Sequence, residues 1–294
     1  MRARLVVNLL LLLAIIALVT VYYLQPEEQS EPPTKVSNLD TDTITSLRIE
    51  RPDAATIELQ KTDGDWRLTA PIQADAEDGR VASILLLPIM DSESRYPATD
   101  QKLDKFGLSP AELRLTFNGQ TFVIGDQHPL NEQQRYLLHD DQIHVIDDRL
   151  HQRLSAPLNY YVNPSLTPAD SQLTRIRLPN GVISQQDENW RIIPGSLSDH
   201  PDTIARAWQE ARASYLQQMD EPPDESRPTI TLEFANHEPI TYRIVKTKPQ
   251  IILARPATSM QYHLRPDQGV KLKLIEEPAQ PPESQGTRPI PPAS

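Results

Sequence analysis

The sequence predicts an α+β protein: a single N-terminal transmembrane helix followed by two repeated antiparallel-sheet-plus-helix modules. Three observations predict it. Leu5 to Leu24 is an apolar run broken only by Asn8 and Thr20. Short stretches of alternating apolar and polar residues recur through the body, separated by turn-forming residues. One series of landmarks occurs twice: a strand, a second strand, a Trp-Arg strand, a helix-like segment and four strands.

The run comes first. Its twenty residues, at helical rise, span about 30 Å, the hydrocarbon thickness of a bilayer. Backbone groups in lipid must be satisfied within the segment, which makes the run a helix. Tyr22 and Tyr23 suit the far interface, and Pro26 ends the helix ahead of Glu27 and Glu28. Arg2 and Arg4 precede the run, so the N-terminus is expected in the cytoplasm and the body outside it. A cleaved signal peptide is the competing reading. Its apolar core would be shorter, about 7–15 residues, and small residues would mark the cleavage site, where this chain has Val-Thr-Val-Tyr-Tyr-Leu-Gln-Pro.

Composition sets the bounds of the rest. The formal net charge of −11, with no Lys/Arg cluster, argues against a nucleic-acid partner. The absence of Cys removes disulfides, thiolate metal sites and a lipidated thiol anchor. Pro is densest at the two ends, with nine of the 28 in the tether from Gln25 and the tail from Glu276. Such segments favour polyproline II or disorder. A Pro-rich tail suits docking to a partner, and a solvated tail is the simpler reading. The chain therefore divides into 1–24 (cytoplasmic stub and anchor), 25–40 (tether), 41–156 (first module), 157–170 (linker), 171–275 (second module) and 276–294 (disordered tail).

The repeat is read from matched landmarks. Ile44–Glu50 corresponds to Leu173–Leu178, and Asp65-Trp66-Arg67 to Asn189-Trp190-Arg191. Helices are expected over Asp78–Leu87 and Asp199–Met219. In the second, Ile204, Trp208, Ala211, Tyr215 and Met219 share one face, Asp199 caps the start and Pro201 sits in the first turn. Four strands follow each helix: Glu112–Phe117, Gln120–Ile124, Arg135–His139 and Gln142–Ile146, then Thr229–Phe234, Ile240–Val245, Gln250–Ala254 and Gln261–Leu264. Asn118-Gly119 and Asp140-Asp141 read as hairpin turns. Each module thus has the expected order βββ-α-ββββ, with a short helix over Asp147–Leu154 between them.

The first copy also carries an ordered set of local motifs: Asp63-Gly64-Asp65-Trp66-Arg67-Leu68 ending in Ala70-Pro71, Phe106-Gly107-Leu108-Ser109-Pro110, Ile124-Gly125-Asp126, Gln134-Arg135-Tyr136 and Val145-Ile146-Asp147-Asp148. With the Arg-flanked apolar run they span Met1 to Pro168, and together they resemble the bacterial envelope family known as domain of unknown function 4340. The resemblance implies a single-pass inner-membrane protein with a periplasmic body, associated with ABC-type export or gliding-motility-like components. It brings no catalytic residue. The second copy resembles the family only through the repeated pattern.

His128, His139, His144 and His151 lie close in sequence, and His139 and His144 flank the Asp140-Asp141 turn, where zinc could find N and O ligands. Their spacing matches no established ligand motif, and a polar hairpin rim has the same composition. Gly125 is expected to permit a turn, with Asp126 and Arg135 capping or pairing across the hairpin. Trp66 and Trp190 are expected in sheet packing rather than as ligand platforms. No nucleophile–base motif or phosphate loop is present, and the acidic pairs lack apolar surroundings. No catalytic, cofactor-binding or metal residue is assigned. The expectation is a non-enzymatic accessory or scaffold subunit of an envelope complex, with protein partners beside an ABC-type transporter. A binding module for a lipid, glycan or peptide is the alternative, and a hydrolase or metalloenzyme the third reading.

Overall fold

The structure, a computed structural model, describes residues 15–16, 34–99, 101–187, 189–193 and 200–275. The apolar run lies outside them except for Ile15 and Ile16, which are helical and exposed, so the expected membrane span, with Tyr22 and Tyr23, is not among the described residues. Among those residues no helix is long and apolar enough to cross a membrane. Asp199 and the Pro-rich tail also lie outside them.

The chain runs through β1 (Thr34–Lys35), β2 (Ser46–Arg51), β3 (Ala54–Thr62), β4 (Asp65–Ala70), β5 (Ala74–Asp75) and helix α1 (Asp78–Ile84). Then come β6 (Asp91–Ser92), β7 (Ser94–Pro97), β8 (Leu113–Phe117), β9 (Gln120–His128), β10 (Asn131–His139) and β11 (Gln142–Asp147). Two short helices follow, α2 (His151–Leu154) and α3 (Leu158–Tyr161). The remainder is β12 (Leu173–Leu178), β13 (Gly181–Gln186), β14 (Asn189–Ile193), α4 (Pro201–Gln209), β15 (Tyr215–Gln218), β16 (Thr229–Phe234), β17 (Ile240–Lys246), β18 (Ile251–Arg255), β19 (Met260–Leu264) and α5 (Pro266–Lys271). The strands form three antiparallel sheets, and the helices are few and short.

Alternation explains most strands. Leu47 and Ile49 of β2, Ile57 and Leu59 of β3, and Trp66 and Leu68 of β4 are buried, while Arg48 and Arg67 between them are exposed. In β12 the buried positions are Leu173, Ile176 and Leu178, and the break in period coincides with a register shift against β16 between Leu173 and Arg175. Asn118-Gly119 and Asp140-Asp141 turn with positive φ at both residues, as tight two-residue hairpins require.

The chain divides into two compact units. The first comprises the chain to Thr43, Leu86–Arg114 and Thr121–Leu150; the second comprises Ile44–Leu85, Leu115–Gln120 and the chain from His151. Strand β8 is cut by this division. In the first unit the strand order is β8-β9-β10-β11-β7, and β1 pairs separately with β6. The expected tether therefore ends early. Thr34 lies opposite Ser92, Val36 is buried, and the amides of Val36 and Ser37 donate to the carbonyls of Met90 and Pro88.

In the second unit one ladder runs β5-β4-β3-β2-β8 and an eight-stranded sheet runs β14-β13-β12-β16-β17-β18-β19-β15. The expected long helix over Asp199–Met219 is corrected. Helix α4 begins after His200 with Pro201 at its first position, buries Ile204, Ala205 and Trp208, and stops at Gln209. Beyond it the Ala213 amide donates to the Pro164 carbonyl, the Ala211 carbonyl accepts from the Leu166 amide, and Tyr215–Gln218 pairs with β19. Non-local backbone pairing thus overrides a local helical spacing. Tyr215 is exposed and stacks on His263 with ring centroids 4.2 Å apart. Residues 157–170, expected as a linker, carry α3 and bury Leu158, Tyr161, Val162 and Leu166.

Candidate functional site

In the first unit, a small core forms around Leu108, Val123, Tyr136, Ile143 and Val145, with Phe106 against it. The Phe106 and Tyr136 rings meet edge-on at 4.8 Å. Gly125 is no turn residue: it lies within β9, where a Cβ would come 2.2 Å from the Phe106 carbonyl oxygen. Gly107, at φ 65°, packs as closely on Asp126. Asp126 is exposed, and the partner of Arg135 is Asp148, which corrects the expected pairing. Arg135 Nε lies 2.6 Å from Asp148 Oδ1, Nη2 is 3.2 Å from Oδ2, and Nη1 donates to the Gly125 carbonyl at 2.6 Å. The register shifts between β9 and β10 on both sides of Arg135 accompany this arrangement. These motif residues hold one another in place.

The histidines have different hydrogen-bond partners, although His139 and His144 are near enough to interact electrostatically. His128 Nδ1 accepts from the Leu130 amide at 3.3 Å, and its ring lies 5.4 Å from Tyr136. His139 is buried, stacked on Phe122 at 4.0 Å. Its Nδ1 lies 3.0 Å from the Thr121 carbonyl, which only accepts, so Nδ1 carries the proton. The other nitrogen faces Asp140 at 3.5 Å. His144 is buried beside Ser92, and burial, followed by repulsion from His139 and Arg95, lowers its pKa to about 4. His151 belongs to the second unit, at the head of α2. Among the described residues, no three His, Asp or Glu side chains gather as a metal site.

The second unit contains a cleft of about 580 Å³, lined by Arg67, Asp75, Asn236, His237, Glu238 and Arg255. Arg67 and Asp75 face each other across the β4–β5 ladder, with Nη2 3.1 Å from Oδ1. Arg255 ends β18 beneath the cleft. Burial opposes its charge, but the phenol oxygens of Tyr242 and Tyr262 and the Asp75 carboxylate outweigh that, and its pKa lies above the ordinary value. Tyr242 is fully buried and donates to the Leu166 carbonyl at 2.7 Å. A neighbouring recess of about 230 Å³ is lined by Trp66 and by Asp63, Asp65, Asp78 and Asp170. The cleft escaped sequence reading because its residues come from strands far apart in the chain. The local signal was a charged residue closing the apolar stretch Ile251–Ala254. Trp66 packs in the interior, as expected, while Trp190 is half-buried.

The model of the family described as a domain of unknown function (DUF4340) matches residues 66–221, more than half of the chain and reaching into the second copy of the repeated pattern. No curated protein and no solved structure matches the chain.

Proposed function

This chain belongs to the family described as a domain of unknown function (DUF4340), and from that premise we propose that it is a membrane-anchored, non-enzymatic interaction module of a bacterial envelope complex. The apolar run Leu5–Leu24 anchors it in the inner membrane with the N-terminus in the cytoplasm, and the body meets protein partners on the periplasmic side, beside an ABC-type transporter. The body is two copies of one module. The observation that carries this reading is strand order. Taken outward from the first strand of each copy, the inner neighbours are β3 then β4 in one and β13 then β14 in the other. Two further successions correspond, β8-β9-β10-β11-β7 in the first unit and β16-β17-β18-β19-β15 in the second. In both, a strand that lies in sequence between the helix and the last four strands sits at the end of the succession: β7, which comes after β6, in one and β15 in the other. Local patterning alone does not dictate that position. Duplication of a sheet doubles the surface available to partners. The motif residues of the first unit support a structural role, since Arg135, Gly125 and Asp148 are engaged with one another.

Crosslinking in native membranes followed by purification of the full chain tests this reading. Recovery of transporter-like membrane components supports it; a lone monomer crosslinked to nothing refutes it. A reporter active only outside the cytoplasm, fused after Ser37, tests orientation and is expected to be active.

The cleft favours a second reading, a module that binds an envelope ligand, because Arg67 and Arg255 both line it. Under that reading, Arg255→Ala abolishes capture of ligand from membrane extracts while leaving the crosslinked complex intact.

A further inference from the structure

The two copies differ at one edge, and the inference that follows rests on reading them as copies of one interaction module. In the first copy, β4 is covered. Arg67 lies opposite Asp75 and Leu68 opposite Ala74, and the Ala76 amide donates to the Trp66 carbonyl at 2.9 Å. The Trp66 amide donates to Asp78 Oδ1 at 3.1 Å, so both backbone groups of Trp66 face the covering segment. The Arg67–Asp75 ion pair fixes the register of that cover.

In the second copy, β14 stands where β4 stands. Thr62 opposite Asp65 closes one two-residue turn, and Gln186 opposite Asn189 closes the other. Trp66 and Trp190 each come one residue after the closing position. Alternation along an antiparallel ladder therefore turns the backbone groups of Trp190, and of Ile192, to the outer edge of β14. Among the described residues no strand pairs with that edge. Trp190 and Ile192 are half-buried, and Arg191 and Ile193 are exposed. Arg191 occupies the place that Arg67 holds in the first copy.

Other edges of this unit are blunted. The Asp75 carbonyl of β5 accepts from the Asn163 amide at 2.9 Å, and Asn159 donates to the Leu216 carbonyl of β15 at 2.7 Å. An edge that no described strand covers, carrying half-buried apolar side chains, is a template for pairing with another chain.

We propose that the outer edge of β14 is a strand-addition site for an extended segment of a partner protein, one that sets a carboxylate opposite Arg191 and a small apolar residue opposite Ile192. The chemistry of the partner is copied from the first module, where Asp75 and Ala74 fill the same positions against Arg67 and Leu68. Backbone pairing to Trp190 and Ile192 supplies the attachment, and charge complementarity at Arg191 sets the register.

The test uses the full chain in detergent micelles and a synthetic peptide of residues 71–77 of this protein (Pro-Ile-Gln-Ala-Asp-Ala-Glu) bearing a photo-crosslinker, with a second peptide carrying Asp75→Arg. The expected crosslinks fall on 189–193, and amide exchange across that stretch slows when peptide is added. Arg191→Glu is expected to weaken capture of the first peptide about fivefold and to restore capture by the Arg-bearing peptide. The reciprocal rescue separates a lost contact from a lost fold. Crosslinks on β4 instead of β14, indifference to Arg191→Glu, or full amide protection across 189–193 before any peptide is added would each overturn the proposal. Co-purification from membranes decides the envelope-complex reading separately, so one can fail without the other.

Discussion

The buried Nδ1–H of His144 donates to the Ser92 hydroxyl across 3.0 Å, and Ser92 passes its own proton to the Ser94 carbonyl at 2.9 Å. Because the Ser92 proton is spent on a carbonyl, its oxygen must accept from His144, which fixes the imidazole tautomer. This neutral ring pins β11 to β6, the strand that pairs with β1.

A pH dependence follows. His144 has a folded pKa of about 4 against an ordinary 6.5, so below pH 6.5 the unfolded chain takes up a proton that the folded chain refuses. Its stabilisation is complete above pH 6.5 and is lost progressively as the pH falls to about 4, amounting to about 3 kcal/mol. His139 and Arg95 both act electrostatically on His144, so the measurement must isolate His144. His144→Asn retains a donor and deletes the titration. Urea unfolding of wild type and variant between pH 4 and 7 should show a smaller acid loss in the variant; parallel curves would sink the assignment.

Gly125→Ala is expected to destabilise the protein by about 2–3 kcal/mol, because the new methyl meets a backbone carbonyl at 2.2 Å and neither can turn aside. Thermal unfolding measures it. Gly119→Ala is the control for a glycine whose Cβ would meet nothing within 4 Å, although its positive φ adds strain of its own.

The Arg135–Asp148 pair is largely shielded, with side chains 13% and 14% exposed. Asp148→Ala should cost about 2–3 kcal/mol by leaving a half-desolvated guanidinium. Arg135→Lys should recover only part of the pair, since an ammonium cannot reproduce both carboxylate contacts and the bond to the Gly125 carbonyl. A double-mutant cycle at the two positions is expected to give coupling above about 1 kcal/mol.

Tyr242→Phe removes the hydroxyl that satisfies the Leu166 carbonyl in a fully buried place. The expected loss is about 1–2 kcal/mol by urea unfolding. A neutral result would mean that the carbonyl finds another donor.

Much of this architecture is legible in the sequence because it is local. Thr229–Phe234 alternates with period two and folds as that strand, and Asn118-Gly119 turns where the dipeptide says it should. What was not legible is non-local. Tyr215 and Met219 sit at helical spacing from Trp208, yet Tyr215 pairs with His263, far along the chain. Gly125 reads as a turn residue until Phe106 is seen packed against it. Arg135 has Asp126, Asp140, Asp147 and Asp148 within reach in sequence, and only the bulged register selects Asp148. Val36 looks like part of a solvated tether, and only its burial beside Met90 shows where the body begins.

The clasp between β1 and β6 sets a leash length. The apolar run ends at Leu24 and the body takes hold of the chain at Thr34, leaving nine residues between them. Fully extended, nine residues reach about 30 Å. Under the anchored reading, the body can sweep only a shallow layer above its own bilayer. Partners beyond that radius would have to come down to it, whereas any that project a comparable distance from the same membrane are held at high local concentration by geometry alone.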